Sequence, residues 1–220
     1  ISYSRRVRRP RYNDLSPFVT FSDNRNFFSG NPDLNPEFTD AYDLGHVKFF
    51  EKGSFASSLY YRYTTGKIDR IRRVNSEGFA ATRPENLLDE HSFGAEFTSS
   101  FSLKKWWKLD FNVNFFRAIT DGSNIQEDYQ SDTYAWFARQ TSRFSLPKKT
   151  DIQIRASYEA PRQTPQGEVK SLFFTDLSMS RDLFKGQGKL ILNVLDVFNS
   201  RRFRSITRGE NFFTENNSQM

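Results

Sequence analysis

The sequence predicts an all-β chain, an antiparallel up-and-down meander of about ten strands that forms part of a transmembrane β-barrel. Three observations predict it. Apolar and polar residues alternate with a period of two through most of the chain. The breaks between alternating runs are short and long by turns. The composition is poor in apolar residues (36%) yet rich in aromatics (16%, with 24 Phe).

Successive side chains of a strand point to opposite faces, so period-two alternation marks a strand with two different surroundings. The first expected strand, 1–9, opens the chain already in a strand-like pattern. The second, 38–50, follows a proline-containing loop. In the third, 54–71, Phe55, Leu59, Tyr61 and Tyr63 oppose Ser58 and Arg62. In the fourth, 90–102, Phe93, Ala95, Phe97 and Phe101 oppose Gly94, Glu96, Thr98 and Ser100. The fifth, 107–118, is the clearest: Leu109, Phe111, Val113 and Phe115 share one face, and Asp110, Asn112 and Asn114 the other.

The sixth, 132–146, carries Tyr134 and Trp136 near one end. In the seventh, 151–160, Ile152, Ile154, Ala156 and Tyr158 oppose Gln153, Arg155 and Ser157. In the eighth, 170–183, Phe173, Leu177 and Met179 oppose Asp176, Ser178 and Ser180. Leu190, Leu192 and Val194 align in the ninth, 189–199. A weaker tenth is expected over 203–213.

Short turns are expected near 51–54, 103–107, 147–150 and 185–188. Long polar loops are expected near 17–36, 73–88, 119–131, 161–170 and 200–214. Barrels of the bacterial outer membrane connect their strands this way, with short periplasmic turns and longer extracellular loops. On that pattern the Lys-rich turns face the periplasm and the loops at 17–36 and 73–88 face outward. Trp106, Trp107, Tyr134, Trp136 and Phe184 lie near expected strand ends, where such barrels carry aromatic girdles.

The mean hydropathy of −0.71 is low for a packed soluble core. The aromatic content argues against disorder. A wall with one greasy and one wet face reconciles the two. No apolar run is long enough for a membrane-crossing helix, and a closed barrel is the other structure that lipid permits. The net charge of +6 resides in turn residues (Lys104, Lys105, Lys148, Lys149, Lys185, Lys189) and in Arg5, Arg6, Arg8, Arg9 and Arg11. No basic helix or nucleic-acid module accompanies it, so no nucleic-acid partner is expected.

A soluble β-sandwich or Greek-key barrel also alternates and stays open as an alternative. Several expected strands are long, near the ~9–11 residues of a tilted membrane strand rather than the usual ~5–6. Mid-strand charges on the polar faces would be costly inside a small filled barrel. They suit a wide, wet lumen, whose lining is expected to include Glu96, Asp110, Asn112, Asn114, Arg155 and Asp176.

Two stretches carry a family resemblance. Gly30-Asn31-Pro32-Asp33-Leu34-Asn35-Pro36-Glu37, then Leu44-Gly45, resembles the loop-to-strand signature of TonB-dependent outer-membrane receptors. Arg9-Pro10 and Leu15-Ser16-Pro17-Phe18 resemble the version common in Bacteroidota. Tyr158-Glu159-Ala160-Pro161, Pro165-Gln166-Gly167, Asp176-Leu177 and Asn193-Val194-Leu195-Asp196-Val197-Phe198-Asn199 resemble the last hairpins of the same barrels. The prolines cannot donate to a sheet ladder, which fits a loop at a strand edge.

The resemblance implies a bacterial outer-membrane location and a 22-stranded barrel with a plug domain in its lumen. On that reading residues 1–220 are the C-terminal part of the barrel, without the plug and the first barrel half. The ending Ser218-Gln219-Met220 lacks the terminal aromatic strand of such barrels, and Ile1 follows no leader pattern, as expected of a processed or partial chain.

The resemblance further implies a receptor that takes up a nutrient ligand. Its expected partners are outer-membrane lipid, the plug and remaining strands of the parent chain, a TonB-type energy-coupling protein reached through the plug, and an unidentified nutrient. A passive outer-membrane channel and a soluble all-β binding or structural module are the alternatives. Phe27, Phe28, Phe79, Arg83 and Arg162, with Phe212 and Phe213, are candidate ligand contacts in the loops. No cofactor, metal site or enzymatic activity is expected. Cysteine is absent, His46 and His91 stand far apart, and the carboxylates Asp89, Glu90, Glu127 and Asp128 sit in loops.

Overall fold

The computed structural model describes residues 1–184, 187–209 and 211–219. Its main sheet is a meander of nine antiparallel strands in near-sequential order. They are β1 (Ser2–Arg8), β4 (Glu37–Phe50), β5 (Gly53–Thr65), β8 (Asp89–Lys104), β9 (Trp107–Asp121), β10 (Gln130–Leu146), β11 (Thr150–Glu159), β14 (Leu172–Leu183) and β15 (Gly188–Val194). Nine of the ten expected strands map onto this wall. The expected turns at 51–54, 103–107 and 147–150 join its hairpins. The fourth, at 185–188, falls partly on Lys185 and Gly186, which lie outside the described residues, as does Met220.

Three expectations change. The run 54–71 breaks after Thr65, where Gly66 takes a φ of +62° that suits glycine. Residues past it form β6 (Ile68–Val74), which leaves the wall. The tenth expected strand becomes β16 (Arg202–Gly209), paired with β17 (Phe212–Gln219) and not with the wall. The expected long loops also contain structure. The helical turn α1 (Tyr12–Leu15), β2 (Val19–Phe21), β3 (Asn26–Ser29) and β7 (Ala80–Asn86) occupy them, with β12 (Arg162–Thr164) and β13 (Gly167–Val169). They build two small sheets, ordered β2-β3-β7-β6 and β12-β13-β16-β17. Short segments with few apolar residues carry little alternation, so their pairing is dictated by tertiary contacts.

Cross-strand partners share a face, so the wall's register sorts its side chains. Leu44, Leu59, Ala95, Phe115 and Trp136 pair in one row across five strands. Leu44, Leu59 and Phe115 are each at least half exposed. Aromatic contacts bind this face laterally: Tyr42 to Tyr61 at 6.2 Å, Phe115 to Trp136 at 6.0 Å and Trp136 to Tyr158 at 4.7 Å. At the other rim Trp106, Trp107 and Phe144 cluster within 6.2 Å of one another. The wall therefore shows an uncovered apolar face with aromatics near both ends.

A buried apolar cluster lies instead under the loops, where Ile71, Leu87 and Tyr129 pack with Ile125. No helix among the described residues is long and apolar enough to cross a membrane.

Candidate functional site: the polar wall face and the loop assembly

The six residues expected to line the lumen lie on one face of the wall, opposite the apolar one. Glu96 and Asn114 are direct partners. Asp110, Thr141, Arg155 and Asp176 form one row across four strands. The Asn112 amide donates to Glu96 Oε1 at 2.7 Å and to Thr98 Oγ1 at 2.9 Å. Ser100 donates to Asp110 at 2.6 Å, and Tyr60 donates to the buried Asn114 at 3.0 Å. Each of these polar groups thus has a neighbour on its own face, as half-buried polar side chains require.

The loops above one rim are tied together by side chains rather than by a large core. Gly30 passes so close to the backbone of Ser16 and Asn13 that a Cβ would overlap them. Its N–H donates to Ser16 O at 2.9 Å. This close approach explains the glycine of the 30–37 segment. The next residue, Asn31, is buried and uses both ends of its amide. It donates to Pro84 O at 3.1 Å and Glu85 at 3.0 Å, and accepts from Arg83 at 2.7 Å. Glu37, at the start of β4, accepts from Arg8 and from the Ile68 N–H, each at 3.0 Å. The segment therefore pins β1, β6 and β7 to the first loop.

A second tie was not legible in the sequence. Gln166 is buried, and its amide pairs with the backbone of Arg72: Oε1 accepts from the N–H and Nε2 donates to the carbonyl, both at 2.9 Å. The same Nε2 donates to the Tyr129 hydroxyl at 2.9 Å. One side chain thus joins three loops, including a residue 94 positions away. Gln166 was visible only as part of a Pro-Gln-Gly turn, because no local pattern announces a partner so distant in sequence.

Between these loops lies an open cavity of about 740 Å³. Phe27 and Phe28 line it, half-buried on β3, together with Phe18 from the first loop. Arg70 and Arg72 enter from β6, and Thr214 to Asn216 from β17. The guanidinium of Arg70 sits 5.0 Å over the Phe28 ring and 3.5 Å from Asp14. At the cavity edge the Asp23 carboxylate accepts from the backbone N–H of Arg25 and from the amide and backbone of Asn26, at 2.8–2.9 Å. These bonds, that to the Arg25 N–H first, hold its pKa below the ordinary carboxylate value.

Phe27 and Phe28 both border the cavity, Phe28 on the face of Thr82 and Arg72 and Phe27 on the opposite face with Phe21, and the other loop candidates do not line it. Arg83 is committed to Asn31 and, at 3.8 Å, to Glu85. Phe79 is exposed outside the cavity. Arg162 lines a separate hollow with Phe203 and Lys170. Phe213 is exposed on β17, beside Arg208. Arg70 was read only as part of the expected strand 54–71, and Arg72, between that strand and the loop at 73–88, was not singled out. Among the described residues no three His, Cys, Asp or Glu side chains form a group that could hold a metal ion.

No curated protein matches the chain. Among solved structures the fold is similar to the siderophore receptor PirA from Pseudomonas aeruginosa, with TM-score 0.63 and 13% identity, covering 90% of this chain and 36% of PirA. It is similar also to the copper transporter OprC, with TM-score 0.62 and 17% identity, covering 99% of this chain and 34% of OprC. The chain thus spans about a third of the length of these neighbours, and the likeness is one of fold. The model of the outer membrane protein beta-barrel family matches residues 1–220. A meander with one uncovered apolar face, one polar face and a loop-bearing rim fits a barrel wall, and this chain belongs to that family, as a protein of the bacterial outer membrane.

Proposed function

We propose that the chain forms part of the barrel wall and outer loops of an energised, TonB-dependent outer-membrane receptor that takes up a nutrient ligand. The observation that carries this reading is the loop assembly: the outer loops are locked to one another around a cavity of about 740 Å³, within the size range of small-molecule sites. The likeness to a siderophore receptor and a copper transporter, and the 30–37 segment, support the same reading.

On this reading the apolar face contacts lipid, and the Lys-rich turns face the periplasm. The face bearing Glu96, Asp110, Asn112, Asn114, Arg155 and Asp176 lines the lumen around a plug domain. Among the described residues the wall is an open sheet whose edge strands β1 and β15 pair on one side only. Residues 1–220 are then the C-terminal section of a wider barrel whose other strands and plug belong to the parent chain. An energy-coupling protein of the inner membrane acts through that plug, and the chain carries no enzymatic activity.

The test is conductance. Reconstituted in a planar bilayer, the full-length parent is expected to stay closed to ions, because a plug fills its lumen. Steady conductance without an energy source would mean a passive channel and would sink the receptor reading.

A further inference from the structure

The geometry points to Arg72 as the group that reads the ligand: the loop cavity takes a molecule carrying a carboxylate or phosphate beside an apolar ring. The oxyanion rests on the Arg72 guanidinium and the ring against Phe28, which shares the face of Arg72 through Thr82. This rests on the reading of the cavity as the receiving site.

The cations around the cavity differ in their partners. Arg70 reaches Asp14 at 3.5 Å, while Arg73 and Arg83 share Glu85 at 3.5 and 3.8 Å. Arg72 is half-buried, and among the described residues no carboxylate lies within the 4.0 Å of an ion pair. Its Nη2 donates to the neutral amide oxygen of Asn26. Its Nε is buried and has no hydrogen-bond partner. A half-buried charge whose hydrogen-bond acceptor is neutral gains from an incoming anion, and a guanidinium offers parallel N–H groups for one.

The nearby acids do not meet that demand. Asp23 feels the Arg72 charge from beyond ion-pair distance, and its carboxylate hydrogen-bonds to N–H groups of Arg25 and Asn26, not to Arg72. Glu215 lines the cavity from β17 as an exposed side chain, screened by water. Arg72 is also held in advance. The Gln166 amide fixes its backbone N–H and carbonyl and the Asn26 amide oxygen holds its Nη2, so little order has to be created on binding. Phe28 supplies an apolar surface on the same face as Arg72, and Arg70 braces its ring.

The test is calorimetric titration of the purified full-length parent with phenyl phosphate, inorganic phosphate and the uncharged benzyl alcohol. Phenyl phosphate is expected to bind most tightly. Arg72→Gln should weaken it tenfold or more, roughly the effect of losing a charged hydrogen bond. Phe28→Ala should weaken phenyl phosphate and leave inorganic phosphate unchanged. Arg72→Gln binding phenyl phosphate like the wild type, or benzyl alcohol binding as tightly, overturns the proposal.

Should Arg72→Gln fail to fold, the wild-type salt dependence decides. Added salt must weaken phenyl phosphate and spare benzyl alcohol, and salt-independent binding of phenyl phosphate overturns the proposal. The conductance measurement keeps the two readings apart. A conducting parent that binds phenyl phosphate through Arg72 refutes the receptor reading alone. A closed parent indifferent to Arg72 refutes this proposal alone.

Discussion

Phe111 and Asn112 are chain neighbours on β9 that meet opposite surroundings. Phe111 lies on the exposed apolar face, and Asn112 bonds to Glu96 and Thr98 on the polar one. Phe111→Arg is expected to destabilise the intact barrel by about 2–4 kcal/mol, the cost of a lipid-facing charge near the membrane midplane. Asn112→Arg should cost much less, since Glu96 is at hand. A folding titration of the full-length parent into lipid vesicles measures both, and equal costs would refute the assignment of faces.

Two glycines make a second contrast. A Cβ on Gly94 would overlap the Phe115 carbonyl and come within 2.8 Å of the Tyr60 hydroxyl, whereas one on Gly45 meets nothing within 4 Å. Gly94→Ala is therefore expected to cost about 1–3 kcal/mol through overpacking, and Gly45→Ala next to nothing, in the same titration.

Asp23 sets a pH dependence in the first loop. Its pKa is lowered in the folded chain by the Arg25 and Asn26 N–H groups, so the unfolded chain binds its proton more readily. The contribution is complete above the ordinary carboxylate value and disappears as pH falls through the lowered one. Hydrogen exchange of residues 19–29, corrected for intrinsic rate, should accelerate on acidification. In Asp23→Asn that added acceleration should vanish, and its persistence would contradict the assignment.

At the scale of elements, the wall and the loops were legible to different degrees. β9 could be read directly from Leu109 to Phe115, because each of its faces has one uniform surrounding. The run 54–71 misled because Gly66 turns the chain out of the wall while the side chains on either side still look strand-like. The loop sheets were not legible at all. β3 pairs in parallel with β7, more than 50 residues away, and β6 is held by a side-chain amide from the loop carrying β13. Such ties depend on single residues at long range and leave no periodic trace.

The Gln166 tie makes its own prediction. Gln166→Ala should expose the Arg72 backbone groups and speed hydrogen exchange in β6, while exchange in β9 stays slow. Tyr129→Phe removes only one of the acceptors and should have a smaller effect. Unchanged exchange in the Gln166→Ala protein would show that the loops are held by other contacts.

At the scale of the whole molecule, the chain has the chemistry of a wall and not of a core. Its apolar residues line up across nine strands on a face that none of the described residues covers, and the buried cluster at Ile71, Leu87 and Tyr129 serves the loops. The Glu96, Asp110, Asn114 and Arg155 positions were identifiable from alternation because the wall has a period of two. The cavity was only half foreseen. Phe27 and Phe28 stood out as aromatics in a polar loop, whereas Arg72 becomes distinctive only when its partners are known.

The central claim is that β9 separates lipid from a wet interior. The chain contains no cysteine, so single cysteines can be introduced at each position from 109 to 115 of the parent, with any cysteine elsewhere in it replaced. They would be labelled in intact outer membranes with a small water-soluble maleimide. Cysteines at 110, 112 and 114 are expected to react, and those at 109, 111, 113 and 115 to stay protected. Labelling without a period of two, or with the opposite phase, would contradict the account.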